Sequence, residues 1–132
     1  MEKGSVGKDL LEKLIFMGKN ERVVEIGEVK FTMSSLTEKQ NRTLLEKIFG
    51  LSEAERLAQS KGIAVASSIL KINEFDLETV IGGVEEGETT FDKKIALISK
   101  MQFSIVNKLY EAFESINSNV DTGEATENLK NS

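Results

Sequence analysis

Apolar residues along this chain take helical spacing near both ends and strict alternation in one stretch between. From Gly7 to Met17 (GKDLLEKLIFM), Leu10, Leu11, Leu14, Ile15 and Met17 fit one side of a short amphipathic helix. Asp9 near its start suits the helix dipole, and Gly18 and Asn20 end it. A helix of about 11 residues is marginal alone, so it needs a partner surface.

The pattern then changes period. Val23, Val24 and Ile26 precede Gly27, after which Val29, Phe31 and Met33 alternate with Lys30 and Thr32. Period two with β-branched residues predicts two strands, and Gly27-Glu28 suits the Gly-first two-residue hairpin turn; a three-residue turn is the alternative. A lone hairpin cannot bury its own apolar face. Either the surrounding helices cover it or strands of a second subunit do.

Helical spacing resumes after Ser34. Thr37 with Gln40, preferred over the equally spaced Ser35 with Glu38, and Ser52 with Glu55 match the capping-box spacing. The first predicts a helix to about Phe49 with Leu44, Leu45, Ile48 and Phe49 on its buried side, a staple at Leu36 and Gly50 closing it. The second predicts a longer helix over 53–72, with a seam at Ala64, Val65, Ser68, Ile69 and Ile72. Gly62 lies inside it and marks a break or a close helix contact. Phe75, Leu77, Val80 and Ile81 show only weak alternation, and Gly82, Gly83 and Gly87 among glutamates read as a flexible acidic loop. Thr89 or Thr90 then caps a last helix over 91–117, about 27 residues and about 40 Å long. Its seam runs through Phe91, Ile95, Ile98, Met101 or Gln102, Ile105, Leu109, Phe113 and Ile116; a second set, Leu97, Phe103, Val106 and Tyr110, lies beside it. One face packs on the domain, and the other is available to a partner. Residues 118–132 are polar and read as a flexible tail on a single domain, 1–117.

Together these elements predict an α+β, predominantly α-helical fold. A short N-terminal helix and one small antiparallel β-hairpin come first, then three to four helices ending in the long C-terminal one. Charge-rich composition (30% charged, 39% hydrophobic) favours a thin or helical shape, and the absence of Pro favours uninterrupted helices.

Composition narrows the chemistry more sharply than the fold. With no Cys and no His, thiol and imidazole chemistry, disulfides and the common zinc ligand sets are excluded. The net charge is −5, and between Glu74 and Asp92 there are seven carboxylates and no Lys or Arg, which opposes nucleic-acid binding. No run of 18 apolar residues suggests a membrane span, and the N-terminal stretch has the charge spacing of a helix rather than of a secretory signal, so a cytosolic location is expected. The GGVEEGE segment lacks the Lys-Ser/Thr of a phosphate loop, and the acidic residues lack calcium-loop spacing. Lys71 near Ser67 and Ser68 is ordinary helix decoration. The sequence therefore predicts no catalytic residue, no metal and no cofactor.

Four phrases taken in order carry a resemblance: VEIGEVKFTMSSLTEKQ (24–40), AVASSILKINEFDL (64–77), VEEGETTF (84–91) and ISKMQFSIVNKLYEAFESI (98–116). At the level of residue type the chain resembles the tail assembly chaperones and related tail or baseplate accessory proteins of tailed phages, over about residues 22–117. Ile72-Asn73-Glu74 stands where that family usually has V-D-G. The resemblance implies a non-enzymatic protein-binding factor that chaperones or organises a tail component. Its partners would be other tail proteins, the tape-measure or baseplate protein among them, together with self-association, in the host cytoplasm. Two further readings stay open: a structural subunit of the tail or baseplate, resident in the virion, and a small regulatory binding protein. The partner surface expected is the alternating hairpin face (Val29, Phe31, Met33) with one side of the last helix (Phe103, Val106, Leu109, Tyr110, Phe113).

Overall fold

The computed structural model describes residues 2–83 and 86–118. Its elements follow as α1 (Glu2–Phe16), β1 (Glu21–Ile26), β2 (Val29–Ser34), α2 (Glu38–Phe49), α3 (Glu53–Ser68), β3 (Ile69–Ile72), β4 (Phe75–Asp76), α4 (Leu77–Ile81), α5 (Thr90–Ser99) and α6 (Phe103–Ser118). The fold is α+β and mainly helical, with the antiparallel hairpin where the alternation places it. Three features differ from expectation.

First, the hairpin is not alone. The sheet has four antiparallel strands in the order β1-β2-β3-β4. Ile26 pairs with Val29 across Gly27-Glu28, and Gly27 takes φ +64°, the left-handed first position that a Gly-first turn requires. β3 then closes the other edge of β2. The chain reaches it because α3 stops at Ser68 rather than continuing to Ile72: Ile69 is already extended, at φ −77° and ψ 130°. The pairing slips between Thr32 and Met33, so Met33 faces Ile69 while Phe31 faces Ile72. Leu70 is the extra residue of this bulge, which keeps Ile69 and Ile72 on one face although they are three apart. Asn73, at φ 55°, turns the chain into β4; its N–H donates to the Lys30 carbonyl at 2.6 Å, and its Oδ1 accepts from the Lys30 N–H at 2.9 Å.

Second, the long last helix is two helices. α5 ends at Ser99, residues 100–102 form the joint, and α6 begins at Phe103. Both pack on α3. A helix of 16 residues such as α3 is only about 24 Å long, so a straight 40 Å helix would overhang it. The break at the joint lets Ile98 of α5 and Leu109 of α6 both reach the core, where neither is exposed. Each of the two apolar sets in the sequence is divided between the two helices, and each helix has its own seam.

Third, residues 75–81 are ordered as β4 and the single-turn helix α4, which buries Leu77. Of the acidic loop expected next, residues 84 and 85 lie outside the described residues, as does the expected tail beyond Ser118.

The helix starts follow the capping pattern. Thr37 with Gln40, Ser52 with Glu55, and Thr89 with Asp92 each form a reciprocal capping box. Gly62 does not break α3; a Cβ there would stand 3.7 Å from Ile98 Cγ2, so this is a close helix contact. Leu44 is buried and Ile48 half-buried, whereas Leu45 and Phe49, also expected on the buried side of α2, are exposed.

The core lies between the sheet and the helices. Phe31, Met33, Val65, Ile69, Ile98, Leu109 and Ile116 form its main cluster. Leu44, Ile63 and Ala64 form a second between α2 and α3, and Phe91, Ile95, Tyr110 and Phe113 touch both, making the core continuous. Among the described residues, helix α1 takes no part in it and makes no substantial contact with any other element.

Candidate interaction surface

Burial separates the eight residues expected to bind a partner. Phe31, Met33 and Leu109 are core residues, and Val29, Val106, Tyr110 and Phe113 are half-buried against the core. Tyr110 and Phe113 stack on each other with centroids 5.8 Å apart. Phe103 differs: it is 76% exposed at the start of α6. The alternating hairpin face is covered within the chain, and the apolar surface that remains open lies elsewhere.

One open region surrounds Phe103. Where α5 turns into α6 beside α3, a groove of about 430 Å³ opens, floored by Ile63 and Ile98 and walled by Ala58, Met101 and Val106. Leu57 and Phe103 line it too, and Leu57 is 85% exposed. Burying such side chains is worth about 1.5–3 kcal/mol each. The groove exists because the joint at residues 100–102 brings Met101 and Phe103 around while α3 runs straight past. Gly62 keeps its floor low.

The electrostatics of this groove are unlike those of the chain as a whole. Among the described residues no carboxylate lines it, and Lys61 is the one charged residue that does. Lys61 donates to Asn107 Oδ1 at 2.9 Å and lies 5.5 Å from the centroid of the Tyr110 ring, so its ammonium is held at the edge. A weakly charged apolar groove with aromatic and aliphatic side chains standing proud suits an amphipathic helix of another protein.

A second open region is α1. Leu10, Leu11, Leu14, Ile15 and Met17 are between 53% and 66% exposed. The partner surface that so short a helix needs is not supplied within the described chain. Beside the end of α1 a wider, more polar groove of about 610 Å³ runs past Leu36, Gln40, Ser67 and Leu70. The link between α1 and β1 is tied down there: the Asn20 N–H donates to Ser35 Oγ at 2.9 Å, and the Ser35 N–H donates to the Asn20 carbonyl at 2.8 Å.

Elsewhere one ion pair ties two helices together. Lys47 Nζ donates to Asp92 Oδ1 at 2.6 Å, joining α2 to the start of α5. That bond, with those from Thr89, holds the Asp92 carboxyl below the usual aspartate range. Glu74, Asp76, Glu78, Glu86 and Glu88 point into solvent. Among the described residues no group of three acidic side chains converges as a metal site would require, and no helix is long and apolar enough to cross a membrane.

The sequence reading missed Leu57 and did not assign α1 to the partner surface. Both had signals. Leu57 is a large apolar residue outside the seam of its helix, and α1 is an amphipathic helix too short to stand alone.

No family model matches this chain, and neither the curated proteins nor the solved structures contain a significant match to it.

Proposed function

We propose that this chain is a non-enzymatic protein-binding factor of phage tail assembly that chaperones or organises a tail component in the host cytoplasm. The open groove between α3 and the α5–α6 joint, edged by Leu57 and Phe103, carries the binding part of this reading. The tail context comes from the sequence resemblance alone. The resemblance implies an aggregation-prone or filamentous partner, often the tape-measure protein, and an open apolar groove suits a helix of such a partner. An acidic carrier keeps such a complex soluble, and the net charge of −5 has that effect.

Co-expression with the tape-measure protein of the same tail module tests this. The wild-type chain is expected to keep that protein soluble and co-purify with it, and Phe103→Asp to lose both effects while keeping its melting temperature. Equal behaviour of the two proteins would overturn the groove as the binding surface. Mass spectrometry of mature particles supplies the other arm. An assembly factor is absent from them, whereas a stoichiometric signal would replace this reading with that of a structural subunit.

A further inference from the structure

We infer that α1 is a self-association helix, and that its apolar side is covered by α1 of a second copy lying antiparallel to it. Area, charge and the lack of a rival within the chain all point to this occupant.

Six large apolar side chains are exposed from Leu10 to Met17, and all but Phe16 share one side of the helix; those five offer roughly 100 Å² each, about 500 Å² per copy, so a two-fold pair buries at most about 1,000 Å², the size at which specific interfaces begin. The groove beside Leu14 and Met17 adds to this. In an antiparallel pair it receives the N-terminal half of the partner helix, because that half lies opposite residues 14–17.

The charge pattern selects a second copy over other occupants. α1 carries three acidic residues (Glu2, Asp9, Glu12) and three basic ones (Lys3, Lys8, Lys13), so it is neutral in a chain of net charge −5. Two such helices approach without repulsion. On a helical projection Lys8 and Glu12 lie on one flank of the apolar side and Asp9 and Lys13 on the other. A two-fold axis near Leu11 sets each flank against its own copy running the opposite way. Lys8 then meets Glu12 of the second copy, and Asp9 meets Lys13. A lipid surface is disfavoured, since a helix lying on a membrane carries an excess of Lys and Arg on its polar side. The chain's own C-terminal segment is disfavoured too: residues 119–132, NVDTGEATENLKNS, hold only Val120 and Leu129 as large apolar residues.

This inference does not rest on tail function and uses none of the groove around Phe103, so failure of one leaves the other standing. Sedimentation of the full chain tests it. Wild type is expected near 29 kDa, twice the 14.6 kDa of one chain, and Leu11→Glu/Leu14→Glu at 14.6 kDa with an unchanged circular dichroism spectrum. A wild-type monomer throughout the accessible concentration range, or a double variant that stays dimeric, would overturn it. So would a wild-type monomer that floats with phosphatidylserine vesicles. Because the chain has no cysteine, single-cysteine variants read the geometry directly. Leu11→Cys, near the axis, is expected to cross-link under oxidation, while Met17→Cys, which faces the far end of the partner helix, is not. Efficient cross-linking of Met17→Cys instead would overturn the antiparallel arrangement.

Discussion

Ser68 Oγ donates to the carbonyl of Ser34 at 2.5 Å, joining the last residue of α3 to the last residue of β2 inside the core. Both residues are buried. The bond fixes the point at which a helix becomes a strand, since Ile69 begins β3 against Met33 immediately afterwards. Ser68→Ala is expected to cost about 1–3 kcal/mol, the range for a buried hydrogen bond whose partner is left behind. Urea denaturation of the two proteins measures it, and a cost near zero would show that the carbonyl finds other partners.

Asp92 supports a pH prediction. Its folded pKa is lowered, chiefly by the hydrogen bond from Lys47 and then by those from Thr89. A lowered folded value means that the ionised group stabilises the fold. That contribution is complete above the unfolded aspartate value, about 3.9, and is lost as pH falls through the folded one. The carboxylate is partly solvated, so the ion pair adds less than about 1 kcal/mol to what the cap contributes. Asp92→Asn is expected to be less stable than wild type at pH 7, with the gap closing in acid below pH 4. Denaturation series from pH 3 to pH 7 would show it; a gap independent of pH would assign the loss to packing.

Gly62 is replaceable. It sits within α3, where Gly is worse than Ala by about 0.8–1 kcal/mol, and a Cβ would make an ordinary contact with Ile98. Gly62→Ala is expected to raise stability by about 0.5–1 kcal/mol, read as a higher melting temperature. A fall would mean that the α3–α5 approach has no room for a methyl group.

Leu109 and Phe103 belong to one helix and to opposite environments. Leu109→Ala removes a fully buried side chain and is expected to cost about 2–5 kcal/mol. Phe103→Ala removes an exposed one and is expected to change stability by less than about 0.5 kcal/mol. Thermal melts of both variants distinguish core from surface on α6; equal losses would contradict the exposure of Phe103.

Local signals in the sequence located most elements. Capping boxes at Thr37, Ser52 and Thr89 and the Gly27 turn are written in neighbouring residues, and each forms as the pattern requires. Ile69 and Ile72 misled for a definable reason. A spacing of three is a helical signal, and the Leu70 bulge produces the same spacing on one face of a strand. The joint at residues 100–102 carries no Gly or Pro. It forms because two helices bury more against α3 than one straight helix does, and this depends on the length of α3, a distant part of the chain. The interaction surface was harder to read. Exposure of Phe103 follows from that joint, whereas periodicity alone groups it with Val106 and Tyr110, which are half-buried.

The joint between α5 and α6 also sets where this chain tolerates a change of length. Deleting one residue inside either helix turns everything beyond it by 100° and carries a core side chain out to solvent. Adding or removing a residue among 100–102 changes only how the two helices meet, because each seam counts from its own start. Related chains that diverge by insertion are therefore expected to differ there, and to vary the mouth of the groove while keeping its floor.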